Sequence, residues 1–377
     1  MVNPKFMVKN NVKIPISVPY IGKEEKNAVL KVLNSRKIVQ GEKVKFFEEK
    51  FRNYCGTKYA VAVNNGTSAL HTALYAAGIG PGDEVITTPF TFVATANSIL
   101  MAGAKPVFVD IDEKTFNIDP GQAEKAITRK TKALLVVNLY GQPADYEKLK
   151  KIARKHKLKI IEDAAQSVGA RYHNDVSGNL ADIGCFSFYA TKNIMCGEGG
   201  ILTTNSKESY EKAQLFRNHG QSENKKYSYQ GLGFNYRLTD LYAAILIGQL
   251  KRLGQITKRR NEIASIYNAA FKNIKGIVIP DIAPGRTHVF HQYTLRITPQ
   301  FKITRDKFQK YLSNKGIQTN VYYPIPLYRF KHLADKRYVD KKFPITEKMI
   351  QEVVSIPAHP LLTKQELAYI IRTIISL

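Results

Sequence analysis

The chain of 377 residues has no tryptophan, only three cysteines, and too few acidic residues to balance its basic ones. Cys55, Cys185 and Cys196 form no C-x-x-C pair or Cys/His cluster. This argues against a disulfide scaffold and a structural zinc site, and it favours a reducing cytoplasm. We therefore expect no metal, and we expect Cys185 and Cys196 to be small buried side chains rather than nucleophiles.

Long apolar runs are also missing. No stretch of about 18 apolar residues occurs, so we expect no membrane-spanning helix. The first twenty residues are basic, but they carry neither an apolar core nor a small-residue cleavage site. They do not resemble a signal peptide, and we expect a cytoplasmic protein.

The shortage of acidic residues gives a strongly basic chain, with 57 Lys and Arg against 31 Asp and Glu and a net charge of +26. Binding to nucleic acid or to a membrane surface is one interpretation. Against it, the lysines are spread along the chain, form no basic arm and are not interleaved with aromatic residues. We favour a basic surface that attracts an anionic small molecule.

Strand and helix patterns alternate from about residue 43. The apolar, strand-like runs are KYAVAV, DEVITT, KPVFVDID, KALLVVNL and KIIED. Amphipathic helices separate them. This pattern is typical of an α/β fold with a mostly parallel sheet covered by helices on both faces. It weakens after about residue 250, where a long helix leads to shorter strands and Pro-rich loops. We predict a large domain over residues 1–250 and a smaller α+β domain over residues 251–377.

Polar side chains lie where the predicted strands end, which is where open α/β sheets bind ligands. Gly66, Thr67 and Ser68 follow AVAV and open a helix, an arrangement that suits an anion site or an ordinary helix cap. Asp163 ends IIED, and Lys192 follows FSF 29 residues later. A lysine and an acid are what pyridoxal 5′-phosphate (PLP) requires, although this spacing alone leaves the assignment open.

Eight segments carry a more specific signal. In chain order they are NNGTSALHTAL, PFTFVATANSI, PVFVDID, IIEDAAQSVGA, FSFYATKNIMCGEGG, RNHG, GFNYRLTDLYAAI and SIPAHPLLT. Together they resemble the motifs of the DegT/StrS family of PLP-dependent nucleotide-sugar aminotransferases. The resemblance extends over nearly the whole chain. It implies PLP fold type I, as in aspartate aminotransferase, with a seven-stranded sheet in the large domain.

The resemblance implies a role for each matching residue at the cofactor. Lys192 forms the Schiff base, Asp163 pairs with the pyridine nitrogen, and Gln166 approaches the ring hydroxyl. The other implied cofactor contacts are to the phosphate and the ring face, and they are Gly66, Thr67, Ser68, Ser187 and Phe92. Asn235 contacts the phosphate in the neighbouring subunit, which implies a homodimer with a shared active site.

The implied substrates are an amino donor, glutamate by family habit, and a keto-sugar linked to a nucleoside diphosphate. Arg237, Tyr322 and Tyr323 are the candidate substrate contacts. The segment VYYPIPLY departs from the family pattern V-H-Y-P-x-P-L-H, because tyrosine replaces histidine at Tyr322 and Tyr328. This departure bears on the identity of the substrate, not on the cofactor chemistry.

Two alternative functions remain. One subgroup of the family carries histidine in place of the lysine and performs dehydration or deoxygenation, so Lys192 favours transamination over a sugar dehydratase. A non-catalytic regulator that keeps the fold, with its charge used on nucleic acid, is the alternative from another class. Glu198, in the segment that follows the lysine, has no predicted role.

Overall fold

The computed structural model describes residues 13–222, 227–335, 338 and 343–377. The prediction about a signal peptide concerns a segment whose first twelve residues lie outside this range. Among the described residues, no helix combines the length and the apolar character needed to cross a bilayer. The three cysteines are free and buried.

A seven-stranded sheet forms the centre of the larger part of the molecule. Its strands lie in the order β1-β9-β8-β5-β4-β2-β3, and all except β9 run parallel. Their bounds are β1 Tyr59–Val63, β2 Glu84–Thr87, β3 Lys105–Phe108, β4 Thr131–Val137, β5 Lys159–Asp163, β8 Ile183–Ser187 and β9 Gly200–Thr204. The two short strands β6 (Arg171–Tyr172) and β7 (Asp175–Val176) form a separate hairpin. The predicted α/β fold class is confirmed.

Helices precede, separate and follow the strands of this sheet along the chain. They are α1 Lys23–Ser35, α2 Glu42–Cys55, α3 Gly66–Ala76, α4 Val93–Met101, α5 Pro120–Lys125, α6 Tyr146–His156 and α7 Lys207–Arg217. In α2 the apolar residues recur at helical spacing, so that Val44, Phe47 and Phe51 are all buried on one face. The helix ends at Gly56, whose φ of 73° is the left-handed conformation that glycine adopts without strain.

A second, antiparallel sheet lies in the C-terminal part, with the order β10-β11-β12. Its elements are β10 Ile277–Val278, β11 Tyr293–Ile297, α9 Arg305–Asn314, α10 Pro344–Glu352, β12 Val353–Ile356 and α11 Lys364–Ile375. The helix α8, Asp240–Phe271, precedes them and has 32 residues. At 1.5 Å per residue it is about 48 Å long.

Helix α8 contributes to the cores of both parts. Leu253 and Ile256 pack in the core beside the seven-stranded sheet. Ile263 and Tyr267 pack in the core of the three-stranded sheet. The sequence predicted a long connecting helix here, and its predicted domain limit at residues 250 and 251 falls within α8.

The parallel strands bring their carboxyl ends to one edge of the sheet. Strand β1 ends just before Gly66, β5 ends at Asp163, and β8 ends at Ser187. Asp163 pairs in register with Cys185 of β8, so the loop that follows β8 begins beside it. The residues that the sequence places at strand ends therefore lie on the same side of the molecule.

Candidate active site

A cleft of about 890 Å³ opens at this edge of the sheet. Most of the predicted site residues line it: Gly66, Thr67, Ser68, Phe92, Asp163, Gln166, Ser187, Lys192, Tyr322 and Tyr323. The last two come from the C-terminal part of the chain, so both parts of the molecule form the walls. Within the described residues, no three His, Cys, Asp or Glu side chains come together as a metal site requires.

One end of the cleft is suited to an anion. Helix α3 begins at Gly66, and the Oδ1 of Asn65 accepts a hydrogen bond of 2.8 Å from the amide of Ser68. A Cβ atom on Gly66 would lie 2.7 Å from the Cβ of Ser187, so a side chain there would require Ser187 to move. The helix amino terminus and a serine hydroxyl therefore approach closely, and helix amides without intrahelical acceptors bind phosphate well.

Asp163 places a buried carboxylate in the floor of the cleft. Its Oδ2 accepts a hydrogen bond of 2.9 Å from the hydroxyl of Thr95, and its Oδ1 accepts one of 3.2 Å from the amide of Ala165. Burial raises the pKa of Asp163, against the opposing effects of these donors and of the Lys192 charge. A further cationic donor would stabilise such a carboxylate, and the protonated ring nitrogen of PLP, which the family resemblance places here, would be one.

Lys192 lies in the loop after β8. Its backbone amide donates to the carbonyl of Tyr189 at 2.8 Å, and its side chain borders the cleft. Its amine makes no hydrogen bond to any residue that the structure describes. Burial lowers the pKa of Lys192 to about 8, although the Asp163 carboxylate acts in the opposite direction. About half of the lysine is therefore uncharged at pH 8, and a smaller fraction at pH 7.

Gln166 connects the floor of the cleft to the C-terminal part. Its Oε1 accepts a hydrogen bond of 2.8 Å from the amide of Tyr140, and its Nε2 donates one of 3.3 Å to the hydroxyl of Tyr323. The ring of Tyr323 lies 6.1 Å from that of Phe92, centroid to centroid. Phe92 is 56% exposed, which is unusual for a core phenylalanine and fits a side chain that faces a ligand.

The two tyrosines of the VYYP segment have different surroundings. Tyr322 accepts a hydrogen bond of 2.8 Å at its hydroxyl from Asn320, and its carbonyl accepts one from the hydroxyl of Tyr140. Burial raises the pKa of the Tyr323 phenol, which therefore stays protonated at neutral pH. Both rings line the cleft, but Tyr323 is the one in direct contact with a predicted cofactor residue, Gln166.

Asn235 and Arg237 are not among the residues that line the cleft of their own chain. Asn235 is exposed and pairs with Asn218 in an isolated β-bridge. The guanidinium of Arg237 donates a hydrogen bond of 2.7 Å to Oδ1 of the same Asn218. The role of Asn235 in a neighbouring subunit and the substrate role of Arg237 stay predictions.

Among the cleft residues without a role in the sequence analysis are Thr95, Glu198 and His291. Thr95 lies within the segment TFVATAN, so its position beside the site could have been noticed. Glu198 is exposed and lines the cleft. His291 reaches the cleft through the packing of the C-terminal part against the large sheet, which no local sequence pattern indicates.

Comparisons with known proteins agree with this geometry. The family model of the DegT/DnrJ/EryC1/StrS aminotransferase family matches residues 19–375. The chain is 44% identical to a pleiotropic regulatory protein of Geobacillus stearothermophilus, with 91% of each chain covered. It is 41% identical to dTDP-3-amino-3,6-dideoxy-alpha-D-galactopyranose transaminase of Aneurinibacillus thermoaerophilus, over 93% of this chain and 94% of that protein.

Solved structures show the same fold. The crystal structure of DesV from Streptomyces venezuelae is 37% identical and superimposes with a TM-score of 0.89, with 94% of each chain covered. The chain belongs to the DegT/DnrJ/EryC1/StrS aminotransferase family. The family is PLP-dependent, and similar solved structures include PLP and pyridoxamine phosphate forms. The anion site at α3, the buried Asp163 and the free amine of Lys192 fit this cofactor.

Proposed function

We propose that this member of the family transfers an amino group from glutamate to a keto-sugar linked to a nucleoside diphosphate. The observation that carries the proposal is the placement of Lys192 and Asp163 in one cleft, beside the amino terminus of α3. The sugar substrate is supported by the similar protein from Aneurinibacillus, whose name specifies a dTDP-linked amino-sugar. The net charge of +26 supports an anionic substrate.

We assign the cofactor contacts as follows. Gly66, Thr67, Ser68 and Ser187 bind the phosphate with amides and hydroxyls, and Phe92 covers one face of the ring. Asp163 holds a proton on the ring nitrogen, and Gln166 donates to the ring oxygen. When bound, the cofactor supplies an electron sink next to the carbon whose bonds change. The protein supplies orientation and charge.

Lys192 has two tasks in this proposal. Its side chain would hold the cofactor, and its free amine would act as the general base that takes the proton from the α-carbon of the donor. A general base works best when its pKa lies near the operating pH, and the pKa of about 8 meets that condition. Burial in the cleft is the cause of this value.

We also propose a homodimer in which the second chain completes the site. Lys192 is the one cationic side chain among the described residues that line the cleft, yet glutamate and a nucleoside diphosphate carry several negative charges. Exposed apolar residues lie at the cleft and on the segment before α8: Phe92, Met101, Tyr189, Tyr229 and Leu232. An apolar surface of this kind is typical of a region covered by another chain.

Spectroscopy tests the function. The purified protein with PLP should be yellow, and addition of glutamate should convert the bound cofactor to its amine form, with loss of the yellow absorbance. A nucleotide-linked keto-sugar should then restore the colour, and a panel of such sugars identifies the substrate. In Lys192→Ala, borohydride should fix no cofactor to the chain. A colourless wild-type protein that does not change with PLP would refute the proposal.

The regulator is the second candidate, favoured by the basic chain and by the similar protein from Geobacillus that is named a pleiotropic regulatory protein. A titration with duplex DNA at increasing salt separates the two. A nucleic-acid binder should lose affinity steeply, since it releases counterions for each phosphate it contacts. If DNA binding is weak and depends little on salt, and if glutamate removes the yellow colour, transamination would be the function.

A further inference from the structure

A second cavity lies at the edge of the large sheet opposite the catalytic cleft. It has a volume of about 650 Å³ and is bordered by the start of β5, by α6 and α7, and by the end of α3. Lys159 begins β5 and Asp163 ends it, so the cavity and the cleft are separated by the length of that strand, about 13 Å. We call this cavity the basic groove, after the five cationic residues that line it: Lys150, Arg154, Lys157, Lys159 and Lys212.

The basic groove holds more positive charge than its acidic residues neutralise. Two carboxylates line it. The Oδ2 atom of Asp182 accepts a hydrogen bond of 2.8 Å from the amide of Ile160, and an oxygen of Glu208 lies 2.7 Å from the Nζ of Lys212. The other four cationic side chains form no ion pair with any residue that the structure describes. The catalytic cleft, in contrast, has one cationic residue among its described lining, Lys192.

Helix α6 shows that this excess of charge is confined to one side. The lysines on its outer face each lie beside a carboxylate, with N–O distances of 3.1, 2.8 and 2.7 Å in the pairs Lys148–Asp145, Lys151–Glu147 and Lys155–Glu124. Lys150 and Arg154 border the groove from the same helix and have no such partner among the described residues. The positive charge of this helix is therefore compensated on the outer face and not at the groove.

Helix electrostatics accounts for only part of this arrangement. Basic residues at the end of a helix interact favourably with its dipole, which explains Arg154 and Lys157 at the end of α6. Lys150 lies in the middle of the helix and Lys159 lies on a strand, so the dipole does not explain them. Lys150 and Arg154 are also four residues apart, and like charges at this spacing destabilise a helix. An anion bound between them would remove that repulsion.

The shape and the floor of the groove indicate a small ligand. Its apolar lining consists of small or aliphatic side chains, including Ala76, Ala77, Ala153 and Leu158, and no described aromatic residue borders it. The bases of single-stranded nucleic acid therefore have no side chain here on which to stack. A duplex presents phosphates along its whole length, whereas the uncompensated charge is concentrated in one concavity. The volume of that concavity is in the range of small-molecule sites.

We propose that the basic groove is an anion site separate from the catalytic cleft, and that it binds a small molecule with two linked phosphate groups. Lys150 and Arg154 contact the phosphates from α6, and Lys159 contacts them from the start of β5. Arginine and lysine form strong, charge-assisted hydrogen bonds with phosphate oxygens. This chemistry fits inorganic pyrophosphate and also the diphosphate of a nucleotide, whose organic part would lie over the alanines. The proposal does not rest on the proposed function.

The test maps the protection of single lysines in the PLP-loaded protein. Trace acetylation with acetic anhydride, quantified by mass spectrometry at increasing pyrophosphate concentration, gives a protection curve for each lysine. Lys150, Lys157 and Lys159 should be protected, whereas Lys148 and Lys151 on the outer face of α6 should not. If pyrophosphate leaves the groove lysines unprotected, or if it protects all five equally, the proposal is wrong.

Two double variants remove the same charge from the two faces of α6. In Lys150→Gln with Arg154→Gln, protection of Lys159 should require at least about tenfold more pyrophosphate, because two charge-assisted contacts are lost. Lys148→Gln with Lys151→Gln is the matched control and should shift the curve by less than about twofold, since exposed charges away from the ligand contribute little. An equal shift in the two would mean that the basic surface as a whole attracts the anion, and it would overturn the proposal.

Two further probes identify the occupant. If UDP protects the same lysines at a much lower concentration than pyrophosphate, the organic part of a nucleotide is also bound; equal potency would show that the diphosphate alone is recognised. A short DNA duplex that protects both faces of α6, at a lower concentration than either, would overturn the proposal in favour of nucleic acid. None of these readouts requires transamination. A failed glutamate reaction with normal protection would therefore count against the proposed function alone.

Discussion

Acid should destabilise this protein through histidines that the fold keeps uncharged. Burial lowers the pKa of His288 to about 3 and that of His359 to about 4, and it lowers the pKa of His291 as well. Arg260 lies among them, with its guanidinium bonded to backbone carbonyls. In the unfolded chain each histidine titrates near 6.5. Below that pH the unfolded state binds protons that the folded state does not, so stability falls as the pH falls.

The magnitude can be isolated at His288. A histidine that is neutral in the folded state but protonated in the unfolded state lowers the free energy of unfolding as the pH falls. The loss is about 1.36 kcal/mol for each pH unit well below 6.5, which amounts to about 2 kcal/mol between pH 7 and pH 5. The Nδ1 of His288 accepts a hydrogen bond of 2.9 Å from the amide of Phe290. His288→Asn keeps an acceptor there and removes the titration. The free energy of unfolding of the variant, relative to that of wild type, should therefore be higher at pH 5 than at pH 7 by about 2 kcal/mol.

The assay is urea unfolding followed by circular dichroism at several pH values, with equal protein and cofactor concentrations, because both affect stability. Comparison of the two proteins cancels the contributions of the carboxylates, including that of Glu162, whose pKa burial raises to about 7. His332→Asn, at an exposed histidine, is the control for replacement of a histidine at the surface. If the free energy of unfolding changes with pH in the same way for wild type and His288→Asn, His288 is not held neutral, and the reasoning would fail.

Three further predictions concern the cleft. Asp163→Asn should lower transamination by at least about 100-fold while some cofactor binding survives, because the amide does not hold a proton on the ring nitrogen; steady-state rates and the visible spectrum check this, and near-normal turnover would contradict it. Gly66→Ala should weaken PLP binding, since its Cβ would lie 2.7 Å from the Cβ of Ser187, whereas Gly80→Ala, with no atom within 4 Å, should not; absorbance titrations of the cofactor-free proteins compare them. The rate of the glutamate half-reaction should rise with pH up to about 8 and then level off, because the base is the uncharged form of Lys192; a rate that falls over this range would contradict that assignment.

The sequence predicts the floor of the cleft well because strand ends are local features. The apolar run of β5 stops at Asp163, and that of β8 stops shortly before Lys192. The Gly66 turn opens a helix directly after β1. In a parallel sheet these ends meet at one edge, so their proximity follows from the fold class. The chemical assignment, by contrast, depends on the family resemblance, since a lysine and an acid alone leave several chemistries open.

The wall formed by the C-terminal part could not be predicted in the same way. His291 precedes a short strand and looks like an ordinary histidine in HQYTLRITP. Its position depends on Arg260, about thirty residues earlier, and on Gly141 in the other part of the molecule. Contacts between residues so far apart in sequence leave no periodic pattern in either segment. The roles of Asn235 and Arg237 likewise stay predictions, because they concern a neighbouring chain or a bound substrate.

The long helix α8 has a consequence for folding. Because its first half packs beside the seven-stranded sheet and its second half beside the three-stranded sheet, neither core is complete without it. Residues 272–377 alone would expose the surface that Ile263, Tyr267 and Phe271 cover. Loss of that apolar burial leaves too small a core to offset the entropy of ordering the chain. The two parts should therefore unfold as one cooperative unit, with α8 as the element that couples them.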